Sequence, residues 1–521
     1  MFDTNSTQKR LIIATVISVI FFIAYDYFFA PKTRFVEANA TEINATQAAP
    51  KVEAATAPVQ KITAQVEKSI VKITGKTFSA GIDELGRVNY FKLEEEKYKT
   101  EEGEQISLFN AAKQPFPLEV RFSDSALNDE AFRTPYVASV SNLNVVDGAG
   151  ELTLTQNLSG LIVKKIIKFE PNGAYDLKVE LSKNVDYFIT PGFRPDVQTD
   201  TYTVHGLLMR KNDDSLEIIE DGDAKGDEKL ENIDILADSD RYYTTLFYDK
   251  NRSLNVYVQK MTGGESLAFV RANSNLSVKG YIGPKENAAL KAIDPNLTDV
   301  VEYGFFTFIS KPMFAFLNWL YGYTQNWGWA IVVLTLVIRA VLFPLTYKGM
   351  VSMNKLKDLA PKMKEIQTKY KGDPQKLNAH MMELYKKSGA NPMGGCLPIL
   401  IQIPIFFAIY RVLLNAIELK GAEWILWIDD LATKDPYFVL PLLMGATMFL
   451  QQRITPTNFT DPMQEKIMRW LPVIFTFFFL TFPAGLTLYW FVNNLCSVAQ
   501  QFAVNRLFAR HKEEEIAEKQ K

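Results

Sequence analysis

The sequence predicts a polytopic α-helical membrane protein, an N-terminal anchor plus a five-helix core, carrying a large all-β domain outside the membrane. Three observations point there. Apolar runs long enough to cross a bilayer fall at residues 11–29 and then only after about residue 305. Between them the apolar period drops to two, the spacing of half-buried strands. One run of the second group, residues 326–344, holds Arg339 well inside it. An arginine at mid-membrane costs about 2.5 to 3.5 kcal/mol by insertion scales, so it is kept only where something compensates it.

Composition narrows the function. The 521 residues are 47% apolar with a formal net charge of -2, which is too neutral for a nucleic-acid-binding surface and too apolar for a disordered chain. Cys396 and Cys496 both lie at or in apolar spans, so the middle domain has no disulfide framework and no thiolate metal site. His205, His380 and His511 are scattered and give no metal or catalytic centre. No catalytic residue, cofactor site or metal site is expected.

Taken in order, Lys9 and Arg10 precede the first run, and residues 1–30 read as a transmembrane anchor. Phe28-Phe29-Ala30 is a poor cleavage site, so the anchor is read as uncleaved, with Ala38-Asn39-Ala40 the alternative. Residues 31–60, rich in Ala, Thr, Pro and Glu, read as a flexible linker. In 61–300, alternation at 152–155, 175–181, 254–258 and 276–278, punctuated by Asp147-Gly148, Asn172-Gly173, Asp221-Gly222 and Gly263-Gly264, argues an antiparallel β domain of sandwich type. Residues 301–325 carry apolar side chains at 305, 308, 309, 312, 313, 316, 317 and 320, with Thr307, Ser310, Lys311 and Asn318 off that face. This is expected to be an amphipathic helix in the membrane interface.

The core follows as a transmembrane helix at 326–345, a hairpin at 346–395, four further spans within 396–505 and a tail at 506–521. Ten lysines against four acidic residues in 346–395, and two lysines against five acids in 418–436, place the first loop in the cytoplasm and the second outside. Both termini are then cytoplasmic and the β domain is outside. In the hairpin, Leu356, Leu359, Met363, Ile366 and Tyr370 face Leu377, Met381 and Leu384 across Gly372-Asp373-Pro374, where Asp373 can cap and Pro374 can start the second helix. Its lysines suit anionic lipid, a ribosome or a targeting factor, or simply solvent.

The four later spans contain no Asp or Glu, so Arg339 has no acidic partner in the membrane. Thr335 shares its helix face. On the last span Trp490, Asn494, Ser497 and Gln501 recur at spacings of four, three and four, and Gln402 adds an amide from the third span. Together these polar groups predict a hydrophilic, membrane-embedded groove.

The stretches Asn391-Pro-Met-Gly-Gly-Cys-Leu-Pro398, Gln402-Ile-Pro-Ile-Phe406, Asp461-Pro-Met-Gln-Glu-Lys-Ile-Met468 and Phe482-Pro-Ala-Gly-Leu486 resemble the YidC membrane-protein insertase family, in its Gram-negative bacterial form. The resemblance implies a β-supersandwich in a periplasmic domain, a multi-pass protein of the inner membrane, and five core helices around a groove open to cytoplasm and lipid. It places the family's groove arginine on Arg339, its threonine on Thr335, and a substrate-contacting aromatic pair on Tyr489 and Trp490. Trp490 stands where many relatives have Tyr, which keeps the aromatic face and removes a hydroxyl. The implied function is non-enzymatic insertion of nascent membrane proteins, alone or with the Sec translocon. A scaffold or folding chaperone of the translocation machinery is the alternative. An intramembrane protease would need a Ser/His pair, two membrane Asp or a zinc motif, and the spans offer none. A transporter would show inverted repeats or several buried charges.

Overall fold

The computed structural model describes residues 69–520, apart from 101–102, 111–112, 198–202, 204, 250–253, 262, 390–396 and 456–461. The expected anchor and linker at 1–60, and Cys396, lie outside the described residues. The chain divides into two compact units, one ending at Glu302 and one beginning at Tyr303.

The first unit is the β-rich domain. Its strands form a four-stranded and a thirteen-stranded sheet among the described residues, the β-supersandwich that the family resemblance implies. Gly150–Leu158, Leu161–Phe169 and Ala174–Leu181 make an antiparallel meander that continues into Leu276–Pro284. Along Leu161–Phe169, Leu161, Val163, Lys165, Ile167 and Phe169 are buried, and Ile162, Lys164 and Lys168 are exposed. Period two in the sequence is therefore a face pattern in the fold. The turn at Asn172-Gly173 needs its glycine, because φ is +89° and a Cβ there would lie 2.5 Å from the Ile282 carbonyl. The longest strand, Glu228–Ser239, pairs with Leu254–Lys260 through its first half and with Tyr243–Tyr248 and Gly206–Lys211 through its second. A register shift between Leu230 and Ile233 separates the halves, so one strand serves two sets of neighbours.

Among the described residues this unit also has two short α-helices, α1 (Ser125–Ala131) and α2 (Asn287–Ile293). The second unit is helical: α3 (Thr307–Thr324), α4 (Trp327–Lys369), α5 (Pro374–Ser388), α6 (Leu397–Asn415), α7 (Val439–Ile454), α8 (Pro462–Phe479) and α9 (Ala484–Gln520). Among the described residues α4 is long and apolar enough to cross a bilayer, and Ile401–Asn415 of α6 is apolar but shorter. The last helix, α9, packs along α4 and α7, while α8 lies on α7 and α3 on α4 and α6. A Cβ at Gly445 of α7 would come within 2.0 Å of Thr476 Oγ1 on α8, so a missing side chain sets that close approach.

Two details differ from the sequence reading. In α3 the buried face is Ser310, Phe314, Leu317 and Leu320, whereas Phe308, Trp319 and Tyr323 point outward. Ser310 is on the packed face because its hydroxyl donates to the Phe306 and Ala408 carbonyls, at 3.1 and 3.3 Å, which lets α6 come close. The helix that starts at Trp327 also does not stop near residue 345 but runs on to Lys369 through Pro344 and Pro361. Each proline forfeits one backbone N–H, and the surrounding helix formers carry the helix past it.

The hairpin turn is built as its residues suggest. Asp373 accepts a hydrogen bond from the Lys376 amide at 3.1 Å and Pro374 opens α5. Tyr370 stacks on His380 at 4.4 Å, and the Tyr385 hydroxyl lies 4.0 Å from the Met363 sulfur. These two pairs run in opposite directions along the chain, so α5 returns antiparallel to the end of α4.

Candidate functional site

The site is built from one turn of α4 and three turns of α9. Asn326 caps α4 by accepting from the Trp329 amide at 3.0 Å, and its own amide donates to the Glu423 and Trp424 carbonyls at 3.1 Å each. That anchor sets the rotation of the helix, which buries Ala330, Ile331, Leu334, Thr335 and Arg339. Thr335 spends its hydroxyl on the Ile331 carbonyl at 2.7 Å.

Arg339 is 8% exposed. Its Nε donates to Asn493 Oδ1 at 2.7 Å, and its Nη2 donates to the Asn493 carbonyl at 3.0 Å and to Ser497 Oγ at 2.5 Å. The Ser497 hydroxyl donates in turn to the Asn493 carbonyl at 3.0 Å, and Gln500 Nε2 donates to the Arg339 carbonyl at 3.4 Å. Among the described residues every hydrogen-bond partner of the guanidinium is neutral. Amide, hydroxyl and carbonyl oxygens on the facing helix hold the charge. The polar seam continues toward the hairpin, where Asn354 Nδ2 and Gln501 Nε2 both donate to Asn505 Oδ1, at 3.0 and 2.8 Å.

The other candidate residues divide. Ser497 is in contact with Arg339 and Thr335 is one turn above it. Tyr489 is buried. Trp490 stands in an aromatic cluster, with ring centroids 4.7 Å from Phe406, 5.5 Å from Phe479 and 6.2 Å from Phe475. Its indole Nε1 and the Asn494 Nδ2 one turn away are buried donors without a hydrogen-bond partner among the described residues. Gln402 is half-buried on α6 and makes no hydrogen bond to Arg339.

Asn493, Gln500 and the buried Arg411 of α6 are absent from the sequence-derived set. Asn493 and Ser497 are four apart, as good a helical spacing as Trp490 and Asn494. With two adjacent asparagines, periodicity leaves open which one meets the arginine. Arg411 had a clear signal, a basic residue in an apolar run.

The β-rich unit has buried charges of a different kind. Lys165 sits on the inward face of its strand, donates to the Leu118 and Gly86 carbonyls at 2.8 and 3.0 Å, and lies 4.5 Å from the Tyr136 ring centre. Burial pushes its pKa down to about 7. Arg87 joins Asp83 and Glu119, at 2.8 and 2.9 Å, and Glu119 also holds Arg121. Asp240 accepts from the Tyr242, Tyr243 and Val197 amides. Each group is spent on backbone or an opposite charge, as in a structural core. Among the described residues no three His, Cys, Asp or Glu converge as metal ligands.

Two family patterns match the chain, "60Kd inner membrane protein" over residues 319–513 and "YidC periplasmic domain" over 235–316. Three relatives named "Membrane protein insertase YidC" are similar over nearly the whole length. That of Campylobacter jejuni subsp. jejuni is 56% identical over 510 residues, 96% of this chain and 97% of its own. That of Wolinella succinogenes is 52% identical over 515 residues, covering 97% and 96%. A Helicobacter pylori relative is 45% identical and covers 98% of both chains. Among solved structures, "Active YidC insertase crystal structure with the first transmembrane domain resolved" aligns with 94% of this chain and 98% of its own, at 19% identity and a TM-score of 0.36.

Proposed function

This chain belongs to the YidC family of membrane protein insertases, and from that premise we propose that Arg339 is the charge through which it receives the polar tails of nascent inner-membrane proteins. The observation that carries the proposal is the buried guanidinium held, among the described residues, by neutral groups, since a cation kept in place but not cancelled can still attract an anion.

The work is physical. A short polar or acidic tail enters the groove, meets the charge of Arg339, and loses its water in stages, while the adjoining apolar segment passes along the aromatic flank at Trp490 into lipid. Thr335, Gln402, Tyr489, Asn494 and Ser497 complete the lining in this scheme. The unpartnered donors of Trp490 and Asn494 support it, because a passing chain offers carbonyl acceptors. No bond of the substrate is made or broken, so the protein is not an enzyme, and it needs no cofactor.

The substrates are nascent membrane proteins. In the proposed arrangement both termini and the 346–395 hairpin face the cytoplasm and the β domain is periplasmic. The hairpin lysines would then meet ribosomes, targeting factors or anionic lipid, and the membrane unit would act alone or beside the Sec translocon. The test is reconstitution in liposomes with one single-span substrate carrying either an acidic or a neutral tail. Arg339→Ala should abolish the advantage of the acidic tail. An unchanged ratio between the two tails would refute the role given to Arg339.

A further inference from the structure

The guanidinium of Arg339 has five N–H groups, and the structure shows how they are shared out. Nε uses its one on the Asn493 amide oxygen, and Nη2 uses two on the Asn493 carbonyl and Ser497. The two on Nη1 make no hydrogen bond among the described residues. One residue thus grips the Nε–Nη2 edge twice, by side chain and by main chain, and fixes the plane of the fork against α9. We infer that Asn493 is the positioning residue that holds Arg339 without neutralising it, leaving the Nη1 edge to receive a carboxylate of the incoming tail.

An amide oxygen accepts the Nε hydrogen bond as a carboxylate would, but it adds no charge, so the full positive charge stays available. An acid at this position would grip at least as firmly and would cancel the field that draws the substrate. Anchoring and attraction are separable at this one side chain. The inference rests on the proposed role of Arg339 and goes beyond it by naming what orients the charge and which edge is open.

The experiment compares full-length wild type, Arg339→Ala, Asn493→Asp and Asn493→Ala in liposomes, using one single-span substrate with an acidic or a neutral tail and thermal unfolding of each variant. Asn493→Asp should unfold no earlier than wild type, insert the neutral-tail substrate normally, and lose at least about tenfold on the acidic tail, the scale of one charge-assisted hydrogen bond. Asn493→Ala keeps the main-chain grip and should show a smaller loss, again confined to the acidic tail, and it carries the test if the aspartate variant fails to fold. If Arg339→Ala loses acidic tails and neither Asn493 variant does, the positioning role is overturned and the role of Arg339 stands. Equal losses on both tails in the Asn493 variants would make Asn493 a purely structural contact and overturn the inference. If Arg339→Ala treats both tails as wild type does, the proposed role of Arg339 falls, and this inference with it.

Discussion

Replacing Arg339 by alanine is the most informative single change, because stability and function should respond differently. Two opposing terms set the stability change. Removing an arginine from mid-membrane relieves about 2.5 to 3.5 kcal/mol of insertion cost. Against that stand three hydrogen bonds to Asn493 and Ser497. At about 0.6 kcal/mol for an average polar contact between membrane helices, they sum to roughly 2 kcal/mol. Stranding the Asn493 amide oxygen adds about 1 kcal/mol more. The terms nearly cancel, so the variant should melt within about 3 °C of wild type. Insertion of acidic-tail substrates should meanwhile fall by about tenfold or more, with neutral tails spared. Arg339→Lys keeps the charge and loses the planar fork, so it should retain much of the activity. The assay pairs thermal unfolding, followed by tryptophan fluorescence, with liposome insertion of both substrates. A much less stable Arg339→Ala, equally poor on both tails, would make the arginine a structural tie and refute the reasoning.

Three further outcomes are expected. Leu359 is buried at the hairpin seam and the Met363 sulfur meets Tyr385, so Leu359→Asp with Met363→Asp should impair insertion while the membrane core keeps its melting transition; wild-type insertion would reduce the hairpin to a solvated loop. Deleting most of the β domain while retaining α3 should leave insertion in place, and complete loss in a stably folded deletion variant would contradict this. Burial raises the Asp240 carboxyl to about 6 from its ordinary 3.8, so between those pH values the native state binds a proton that the unfolded chain does not. The stability linked to Asp240 is therefore present at low pH and lost as pH rises through about 6. Relative to Asp240→Asn, wild type should lose up to about 3 kcal/mol between pH 4 and 6.5 in denaturant titrations, and parallel curves would contradict the assignment.

Local features of the chain were readable where one residue's chemistry decides the outcome. Asp373-Pro374 starts a helix because the side chain and the ring satisfy the same helix end, and Gly173 turns because its φ excludes a side chain. Arg339 stood out because a charge in an apolar run is costly wherever it points. Features that depend on which surfaces meet were not readable in this way. Ser310 looked like a residue of the polar face until a partner carbonyl on α6 came within reach. Asn493 and Asn494 differ by about 100° around the helix, and only the position of α4 selects the first. The pairing of Glu228–Ser239 with three strands likewise depends on segments far apart in sequence.

The uninterrupted course of α4 gives the molecule a mechanical property. At 1.5 Å per residue its 43 residues make a rod of about 64 Å, with Arg339 about 18 Å from one end and about 45 Å from the other. Measured from the arginine, the longer arm ends at the lysine-rich hairpin. Pro344, a little over one turn from the arginine, gives up a backbone tie and supplies a place for the long arm to bend. α9 also holds the long arm at Asn354 and Asp358, through Asn505 and Lys512, so a load on the hairpin bends the helix beyond those ties while the grip of α9 on the guanidinium stays intact.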